Sequence, residues 1–387
     1  MSVAKSAYPL ALSVRRDLHR HPELSTKEFR SAKLVFDNLK SLGLKPSLCC
    51  NKTGVVASVD NGKGKTVVIR ADLDALPLQE ETGLAFTSTI PGVMHACGHD
   101  MHTGILVGAA QALIACKDTW KGRAVLLFQP SEEMAPGGAV SMIKEKAFPL
   151  GADAVFGLHV STDHPCGTVG LKSGPDYAGV VDFEVVVNVN GGHGASPQTT
   201  ADPIVCCCAM ISQMQTLVSR ESPPHEPSVV TVGTFHSGTK QNIIPTEAKF
   251  SGTIRALSGA HLDFLRTRLG EIVTAIAASH KAKALVRFEK AYPPGYNDPH
   301  LIEKAEIALK STLGAKKVIM RDAPVMHAED FAYYQKKTPG IYVHLGVRPL
   351  QTKSVPGIHT PYFAPCERAI LTGIAVHVSL AIDILSS

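Results

Sequence analysis

The sequence has 387 residues, of which 44% are hydrophobic and 19% charged. At about 150 residues per domain, this predicts a globular protein of two or three domains. The formal net charge is +5, and the basic residues are spread along the chain, which argues against a nucleic acid as the main partner. No apolar run reaches the about 18 residues of a membrane helix, and the N-terminus lacks a signal-peptide core, so we predict no membrane association and a cytoplasmic location.

The chain begins with an alternation of helices and strands. Residues 5–43 predict two helices with a break at His21–Pro22, because the residue before a proline disfavours the helical conformation. Short apolar runs bounded by turn residues predict strands at 53–60, 66–70, 123–129, 152–158 and 340–346. The apolar stretch 103–116 predicts a buried helix. This order predicts an α/β domain with a covered, substantially parallel sheet.

The pattern changes between about 180 and 292. Residues 181–189 alternate apolar and polar side chains, as a half-buried strand does. The predicted elements after this strand are a helix at 203–220, strands at 228–235 and 247–257, a helix around 262–276 and a strand at 284–289. The order βαββαβ is that of a ferredoxin-like domain. We therefore predict an inserted α+β domain at 179–294, within a larger, discontinuous domain of residues 1–178 and 295–387.

The nine cysteines include the run Cys206–Cys208 and the pair Cys49–Cys50, and these spacings suit no disulfide framework. They indicate a reducing compartment. The run lies in a predicted helix, where we interpret its members as small buried hydrophobic residues.

Potential metal ligands follow the predicted strands at the points where the strands end. They are Asp72, Asp74, Glu132, Glu133 and His159. The loop before the buried helix adds His95, Cys97, His99, Asp100 and His102, and His359 follows the last strand. Because ligands bind at the carboxyl ends of strands in open α/β sheets, we expect these side chains to converge.

The density of polar side chains in residues 95–102 favours a catalytic metal site. Burying these groups without partners would cost a few kcal/mol each, so they need hydrogen bonds or a metal. A structural zinc site is the alternative, but it is normally closed by four ligands with short paired spacings such as Cys-x-x-Cys, which this sequence lacks. A further alternative is a cysteine hydrolase with Cys97 as nucleophile between His95 and His99.

The adjacent acids Glu132 and Glu133 indicate two different roles, one as a metal ligand and the other in proton transfer. Two neighbouring carboxylates repel each other, but a cation can neutralise one while the other moves protons. The alternative is a solvated acidic turn at the end of a strand.

Eight motifs, taken in order, resemble those of the M20 metallopeptidases, most closely the amidohydrolase branch of aminoacylases, hippurate hydrolases and auxin-conjugate hydrolases. The motifs are RADLDALP, MHACGHDMHT, QPSEE, GLHV, GGHGASP, QNIIPTEAKFSGTIR, EDF and HTPYF. The resemblance extends from the HRHPELS segment to the C-terminus. It implies a zinc-peptidase-like catalytic domain with an inserted lid and dimerisation domain.

The resemblance also implies the roles of individual residues. Two divalent cations, Zn²⁺ or Mn²⁺, would bind at Cys97, His99, Glu133, His159 and His359. Glu132 would be the general base, taking a proton from a water held by the metals and passing it to the leaving nitrogen. Asp72 is not a ligand in this branch.

Residues around the ligands and in the inserted domain complete the expected site. Asp74 and Asp100 are expected to orient ligating imidazoles, with capping of a strand end or helix start as the alternative. The resemblance implies that His193 reaches a neighbouring subunit's site and stabilises the oxyanion, and thus a homodimer formed through the inserted domain. It implies that Asn242 and Arg255 contact the substrate, since a guanidinium suits a carboxylate.

Two departures from the family pattern, Gln198 and His327, bear on the substrate and leave the ligands intact. The function predicted is hydrolysis of N-acyl-L-amino acids to a carboxylic acid and a free amino acid. A carboxypeptidase or dipeptidase acting on short peptides is the alternative with the same chemistry. A non-catalytic metal-binding protein on a hydrolase fold is the alternative of another class, and the presence of Glu132 beside a full ligand set argues against it.

Overall fold

The computed structural model describes residues 1–352 and 354–386, with the backbone alone at 290 and 291. The chain divides into two compact units. The first unit consists of Met1–Gly174, Tyr296–Ala323 and the chain from Asp330 onward. The second consists of Pro175–Gly295 and Pro324–Glu329. The predicted insertion, 179–294, lies within the second unit.

The segment 324–329 differs from the sequence prediction, which placed it in the larger domain. It joins the second unit through backbone pairing. Ala178 N donates to the carbonyl of His327 over 2.9 Å, and Tyr177 forms a parallel bridge with Val325. Such long-range pairing leaves no local signal in the sequence.

The elements are numbered along the whole chain. The helices of the first unit are α1 (Ser2–Arg20), α2 (Phe29–Ser41), α3 (His99–Ala115), α4 (Gly138–Lys144), α7 (Pro299–Leu313), α8 (Ala332–Gln335) and α9 (Ala369–Ser386). Its strands are β1 (Ser47–Cys49), β2 (Gly54–Asn61), β3 (Thr66–Asp72), β4 (Gly122–Gln129), β5 (Ala154–Pro165), β6 (Val169–Leu171), β15 (Val318–Met320) and β16 (Gly340–Arg348). The short strands β7 (Gly174–Tyr177) and β14 (Gly295–Asn297) contain two of the points where the chain passes between the units, and the others lie at the ends of the segment 324–329.

The eight strands of the first unit form one mixed sheet in the order β1-β2-β4-β3-β5-β16-β6-β15. Its centre, β4-β3-β5-β16, is parallel, while β1–β2, β2–β4 and β16–β6 are antiparallel. The prediction of an α/β fold with a mixed, mostly parallel sheet is confirmed. Because every central strand is apolar and buried, helices must cover the sheet.

The register of the central strands brings the polar strand ends level with one another. Asp72 of β3 lies beside Gln129 of β4, so the loop with the two adjacent acids starts next to Asp72. On the other side, Arg70 of β3 lies beside Gly157 of β5, two residues before His159. The ends of β3 and β4 therefore lie beside the middle of β5, where His159 is located six residues before the strand ends.

Helices α1, α3 and α9 pack together, and α3 and α9 also contact the sheet. The crossing of α1 and α3 is close at Gly104, where a Cβ atom would lie 2.6 Å from the carbonyl oxygen of Ala11 and 3.1 Å from Cβ of Arg15. Only glycine lets the two backbones approach to this distance.

Helix α9 corrects the expectation that no apolar run is long enough to span a membrane. Its 18 residues have a mean hydropathy of 1.9, and length and composition alone would allow a span. Within the first unit, 72% of this helix is buried. It packs against α1, α3, α7 and the sheet. A helix that is apolar all round and buried in a large domain has the same composition as a membrane span, so its apolar character follows from its place in the core.

The second unit is built around a four-stranded antiparallel sheet. Its elements in chain order are β8 (Gly179–Asn188), β9 (Gly192–His193), α5 (Pro203–Met214), β10 (Ser228–Ser237), β11 (Ile243–Ile244), β12 (Glu247–Ala256), α6 (Gly259–Ser279) and β13 (Lys283–Tyr292). The sheet order is β10-β12-β8-β13, and β9 pairs separately with β11. Helices α5 and α6 cover the face on which Val181, Phe183, Val185 and Val187 are buried, the face that the alternation predicts.

The cysteines differ in part from the sequence expectation. Cys166 and Cys366 form a disulfide across 200 residues, so the prediction of no disulfide is wrong for this pair. Both lie beside the end of β16, because Cys166 N donates to the carbonyl of Arg348 and Cys366 N donates to that of Val347. In the run at 206–208, the first two side chains are buried in the core of the second unit and the third is exposed.

Candidate metal and active site

The five candidate ligands come from four segments of the first unit. Cys97 lies in the loop that leads into α3 and His99 is the first residue of that helix. Glu133 lies in the loop after β4, His159 on β5 and His359 in the loop before α9. The loops are tied to each other, since His359 N donates to the carbonyl of Ala96 over 2.9 Å. The α3 loop turns at Gly98, whose φ of +88° is a left-handed conformation that favours glycine.

These five side chains form one connected cluster. Cys97 Sγ lies 3.3 Å from His159 Nε2 and 3.3 Å from His359 Nε2. His359 Nε2 lies 3.2 Å from Glu133 Oε1, which in turn lies 3.9 Å from His99 Nε2. Two sets of three ligand atoms within the cluster are close enough to hold a cation, Cys97–His99–His159 and Cys97–Glu133–His359, and they share Cys97. A third set joins His99 and Glu133 to Glu132. The structure thus brings together all five residues that the resemblance implied.

Hydrogen bonds select the ring nitrogen that each buried histidine presents to the cluster. His99 Nδ1 lies 2.9 Å from the main-chain carbonyl of Asp74, and His159 Nδ1 lies 2.8 Å from that of Val160. A carbonyl oxygen only accepts, so both Nδ1 atoms carry a proton, and in the neutral ring each Nε2 atom offers a lone pair. His99 Nε2 is buried and has no hydrogen-bond partner within the described chain. This is the tautomer and orientation of a metal-ligating imidazole.

The charges in the cluster favour a cation. Burial raises the pKa of the Cys97 thiol well above its usual range, and the Glu133 and Glu132 carboxylates raise it further. Burial by itself lowers the pKa of His99, but the carboxylates of Asp72 and Asp74 raise it to about 10. A divalent cation fits this donor set, because its charge would replace the protons that these groups otherwise retain.

Asp74 organises the loop that carries both acids. Glu132 N donates to its Oδ1 over 3.0 Å, and Glu133 N donates to its Oδ2 over 2.9 Å. Ser25 Oγ donates to Oδ2 over 2.7 Å, and His99 Nδ1 lies 3.3 Å from Oδ1. Burial raises the pKa of Asp74, but the hydrogen bond and charge of His99 and the amide of Glu133 outweigh burial and hold it below the usual range. Asp74 thus contacts the imidazole of His99, a candidate ligand, and it also makes two amide contacts that the sequence did not indicate.

Asp72 and His102 form a pair next to the cluster. Val160 N donates to His102 Nε2, so the proton of this ring lies on Nδ1, which donates to Asp72 Oδ1 over 2.6 Å. Arg70 donates to the other oxygen of Asp72 over 2.7 Å. Both ring nitrogens of His102 are therefore occupied by the protein, and it is a supporting residue.

Asp100 occupies a different place from the one expected. Its Oδ2 accepts from Arg15 Nε over 3.0 Å and lies 2.8 Å from His19 Nδ1, on α1. His19 is not among the candidate ligands, so Asp100 connects α3 to α1 instead of orienting a ligating ring. Sequence reasoning did not identify Arg15 and His19, which lie on a helix with ordinary amphipathic periodicity.

The surroundings of Cys97 argue against its role as a nucleophile. A reactive thiol needs a lowered pKa, and burial gives Cys97 the opposite. His95, the expected partner on one side, is buried with no hydrogen-bond partner on either ring nitrogen within the described chain, and burial lowers its pKa to about 4.

The candidates of the second unit lie on strands and loops of that unit. His193 of β9 pairs with Ile243 of β11, and Gly194 N donates to the carbonyl of Asn242, so His193 and Asn242 lie side by side on the surface. Arg255 is half-buried on β12 and donates to the carbonyl of Met326 over 3.3 Å. Among the departures, Gln198 is exposed, and the backbone of His327 pairs with Ala178.

Comparison with known proteins gives three kinds of match. A profile of peptidase family M20/M25/M40 matches residues 68–383. Thermostable carboxypeptidase 1 of Saccharolobus solfataricus is 37% identical over 375 residues, which cover 96% of this chain and 94% of that protein. N-acetyl-L-cysteine deacetylase of Bacillus subtilis is 37% identical over 361 residues, 93% of this chain and 84% of that protein. The crystal structure of the Bacillus subtilis YXEP protein, a dinuclear metal-binding peptidase from the M20 family, is 31% identical with a TM-score of 0.84, and the match covers 99% of both chains.

Proposed function

The chain belongs to peptidase family M20/M25/M40 and is a metal-dependent amide hydrolase, and on this premise we propose that it cleaves the amide bond of N-acyl-L-amino acids. The products are a carboxylic acid and a free amino acid. The observation that supports this most is the connected cluster of Cys97, His99, Glu133, His159 and His359, with the second acid, Glu132, adjacent in sequence to a ligand. A relative that carries the name of an N-acetyl-L-cysteine deacetylase supports an acyl-amino acid as substrate.

The five clustered residues would hold two divalent cations, Zn²⁺ or Mn²⁺. A thiolate favours zinc, whereas carboxylates also suit manganese. When bound, such cations supply a Lewis acid for the scissile carbonyl and lower the pKa of water.

Glu132 is the proton carrier of the proposed reaction. Its carboxylate takes a proton from the attacking water and delivers it to the leaving nitrogen, which an amide requires because an unprotonated amine leaves poorly. Its Oε2 lies 4.0 Å from His99 Nε2, so it faces the same cluster as the ligands. Asp74 fixes the backbone of Glu132 and Glu133. The two side chains can then keep different positions, one binding metal and the other transferring the proton.

For the second unit we propose an inserted ferredoxin-like lid domain that also joins two chains into a homodimer. Its element order and the sheet order β10-β12-β8-β13 support this architecture. Within it, His193 would donate to the developing oxyanion in the neighbouring subunit, and Arg255 and Asn242 would bind the substrate's α-carboxylate. The side-by-side position of His193 and Asn242 supports a shared role for the two.

A carboxypeptidase or dipeptidase acting on short peptides remains the second candidate, supported by the relative named thermostable carboxypeptidase 1. A non-catalytic metal-binding role is disfavoured by the amide-hydrolase relatives and by the presence of Glu132 beside the cluster. We propose a cytoplasmic location on the strength of the seven free cysteines, and the Cys166–Cys366 disulfide is the observation that counts against it.

The proposal is tested by stripping the protein with a chelator, reloading it with Zn²⁺ or Mn²⁺, and measuring metal content and hydrolysis on the same preparation. The substrates are N-acetyl amino acids, their C-terminal carboxamides and dipeptides. We expect about two metals per chain, activity that disappears and returns with metal, and faster hydrolysis of acids than of carboxamides. Full activity in metal-free protein would revive the Cys97 nucleophile, and equal rates on acid and carboxamide would point to a general amidase.

A further inference from the structure

The segment between α1 and α2 contacts the loop that carries the two acids, and no step above uses this contact. We propose that Glu28 is a positioning residue for Glu132: its buried carboxylate holds Ser131 in a left-handed conformation and thereby sets the direction of the acid that follows. This inference rests on the proposed function, in which Glu132 moves the proton.

Three consecutive amides of the acid loop donate to two buried carboxylates. Ser131 N donates to Glu28 Oε1 over 2.7 Å. Glu132 N and Glu133 N donate to the two oxygens of Asp74 over 3.0 and 2.9 Å. The backbone of the acidic pair is thus held from two directions, and Glu28 supplies the first of its three anchors.

Ser131 has a backbone conformation that a serine does not adopt without support. Its φ is +56°, in the left-handed region, which costs about 1 kcal/mol for a residue with a side chain. All three of its polar groups are bound: besides the amide, Oγ donates to Glu28 Oε1 over 3.1 Å and the carbonyl accepts from Gly138 N over 3.1 Å. Loss of the Glu28 acceptor would leave the buried Ser131 amide without a partner and remove the bond that Oγ donates, and we expect this to release the turn.

The partner segment is strained in the same way. Thr26 has a φ of +69°, and its N–H donates both to Glu28 Oε1, over 3.0 Å, and to Ser131 Oγ, over 2.8 Å. One carboxylate oxygen therefore accepts from two left-handed residues that are 105 positions apart. The contact locks the two turns to each other.

The environment of Glu28 matches a role as a fixed acceptor. The side chain is fully buried, and its Oε2 has no hydrogen-bond partner within the described chain. Burial and the nearby Asp74 carboxylate raise its pKa to about 7. The donors converge on Oε1 alone, so an amide oxygen at the same position would serve as well.

Glu23 is a matched control in the same segment. Its carboxylate accepts from Arg30 N, Ser31 N and Ser31 Oγ, at the start of α2. Removing it should loosen the helix start without changing the acid loop. Substitutions at Glu23 and Glu28 therefore separate a loss of stability from a loss of positioning.

The test compares Glu28→Ala, Glu28→Gln and Glu23→Ala in the metal-loaded protein, by kcat, KM, metal content and amide hydrogen exchange of residues 130–137. For Glu28→Ala we expect kcat to fall by about 10- to 100-fold with KM and metal content near wild type, because small displacements of a catalytic group have effects of this size. Exchange at 130–137 should rise. Glu28→Gln should stay within a few-fold of wild type in kcat, and Glu23→Ala should lower only the thermal midpoint.

If Glu28→Ala does not fold, Glu28→Asp takes its place, because it sets the carboxylate back by one methylene and should lower kcat about tenfold. Wild-type kcat and wild-type exchange in a folded Glu28 variant that lacks the acceptor would overturn the inference, as would an equal loss of kcat in Glu23→Ala. A Glu132→Gln control separates the two proposals. If Glu132→Gln is active, the proposed base is wrong, and the exchange data alone then decide whether Glu28 holds the loop.

Discussion

At the scale of single residues, the two adjacent acids have different surroundings and should respond differently to the same substitution. Glu133 Oε1 lies 3.2 Å from His359 Nε2 within the ligand cluster. Glu132→Gln should lower kcat by a factor of about 10² to 10⁴ and retain the metal, because an amide cannot accept the proton. Glu133→Gln should lose metal as well as activity. Parallel kinetics and elemental analysis check this, and near-normal kcat in Glu132→Gln would refute the assignment of the base.

A second residue-scale prediction concerns His19, whose ring lies between two carboxylates. Nδ1 lies 2.8 Å from Asp100 Oδ2 and Nε2 lies 3.1 Å from Glu80 Oε1. Burial by itself lowers the pKa of His19, but Asp100 and Glu80 raise it to about 9. In the unfolded chain the pKa is about 6.5, so between about pH 6.5 and 9 the folded state holds a proton that the unfolded state has released.

The stability that His19 contributes is therefore fully present below about pH 6.5 and is lost as the pH rises through 9. This shift in the pKa of His19 corresponds to about 3 kcal/mol in the free energy of unfolding. His19→Gln should be less stable than wild type at pH 6, and the difference should shrink towards pH 9.5. Urea unfolding of both proteins across this range measures it. A difference that stays constant with pH would show that His19 is uncharged in the folded protein.

At the scale of elements, the helices of the first unit approach closely because their contacts contain glycine. Gly104→Ala places a methyl group 2.6 Å from the carbonyl of Ala11, where backbone must move, and should lower the free energy of unfolding by about 1–3 kcal/mol. Gly270, inside α6, is the control, since its nearest neighbour would be 3.8 Å away, at Phe288. Gly270→Ala should raise stability by up to about 1 kcal/mol through helix propensity. Thermal unfolding midpoints compare the two, and a stabilised Gly104→Ala would contradict the close crossing.

At the scale of the whole molecule, the proposed homodimer makes each active site depend on two chains. His193→Ala and Glu132→Gln should each be inactive alone. Mixed one to one with free exchange of subunits, they should recover about a quarter of wild-type activity, because half of the dimers are hybrids and each hybrid has one complete site. Labelled chains establish the exchange. If exchange occurs and activity does not return, His193 acts within its own chain or is not catalytic.

The sequence by itself determined the residue types and the order of the elements. Apolar runs of strand length predicted β3, β4, β5 and β16, and the polar residues at their ends predicted where ligands converge. Alternation in residues 181–189 predicted which face of β8 is buried. These features are local, because a strand with one buried face has a period of two residues and because ligands of open α/β sheets bind near the carboxyl ends of the strands.

Only the tertiary structure decided which polar residues contact each other. Of the histidines in residues 95–102, His99 presents a free nitrogen to the cluster, whereas His102 is bound on both sides and His95 has no partner in the described chain. Cys166 and Cys366 are 200 residues apart, and Thr26 and Ser131 are 105 apart. A hydrogen bond depends on distance and direction in space, and contacts between segments so far apart leave no periodic signal along the chain.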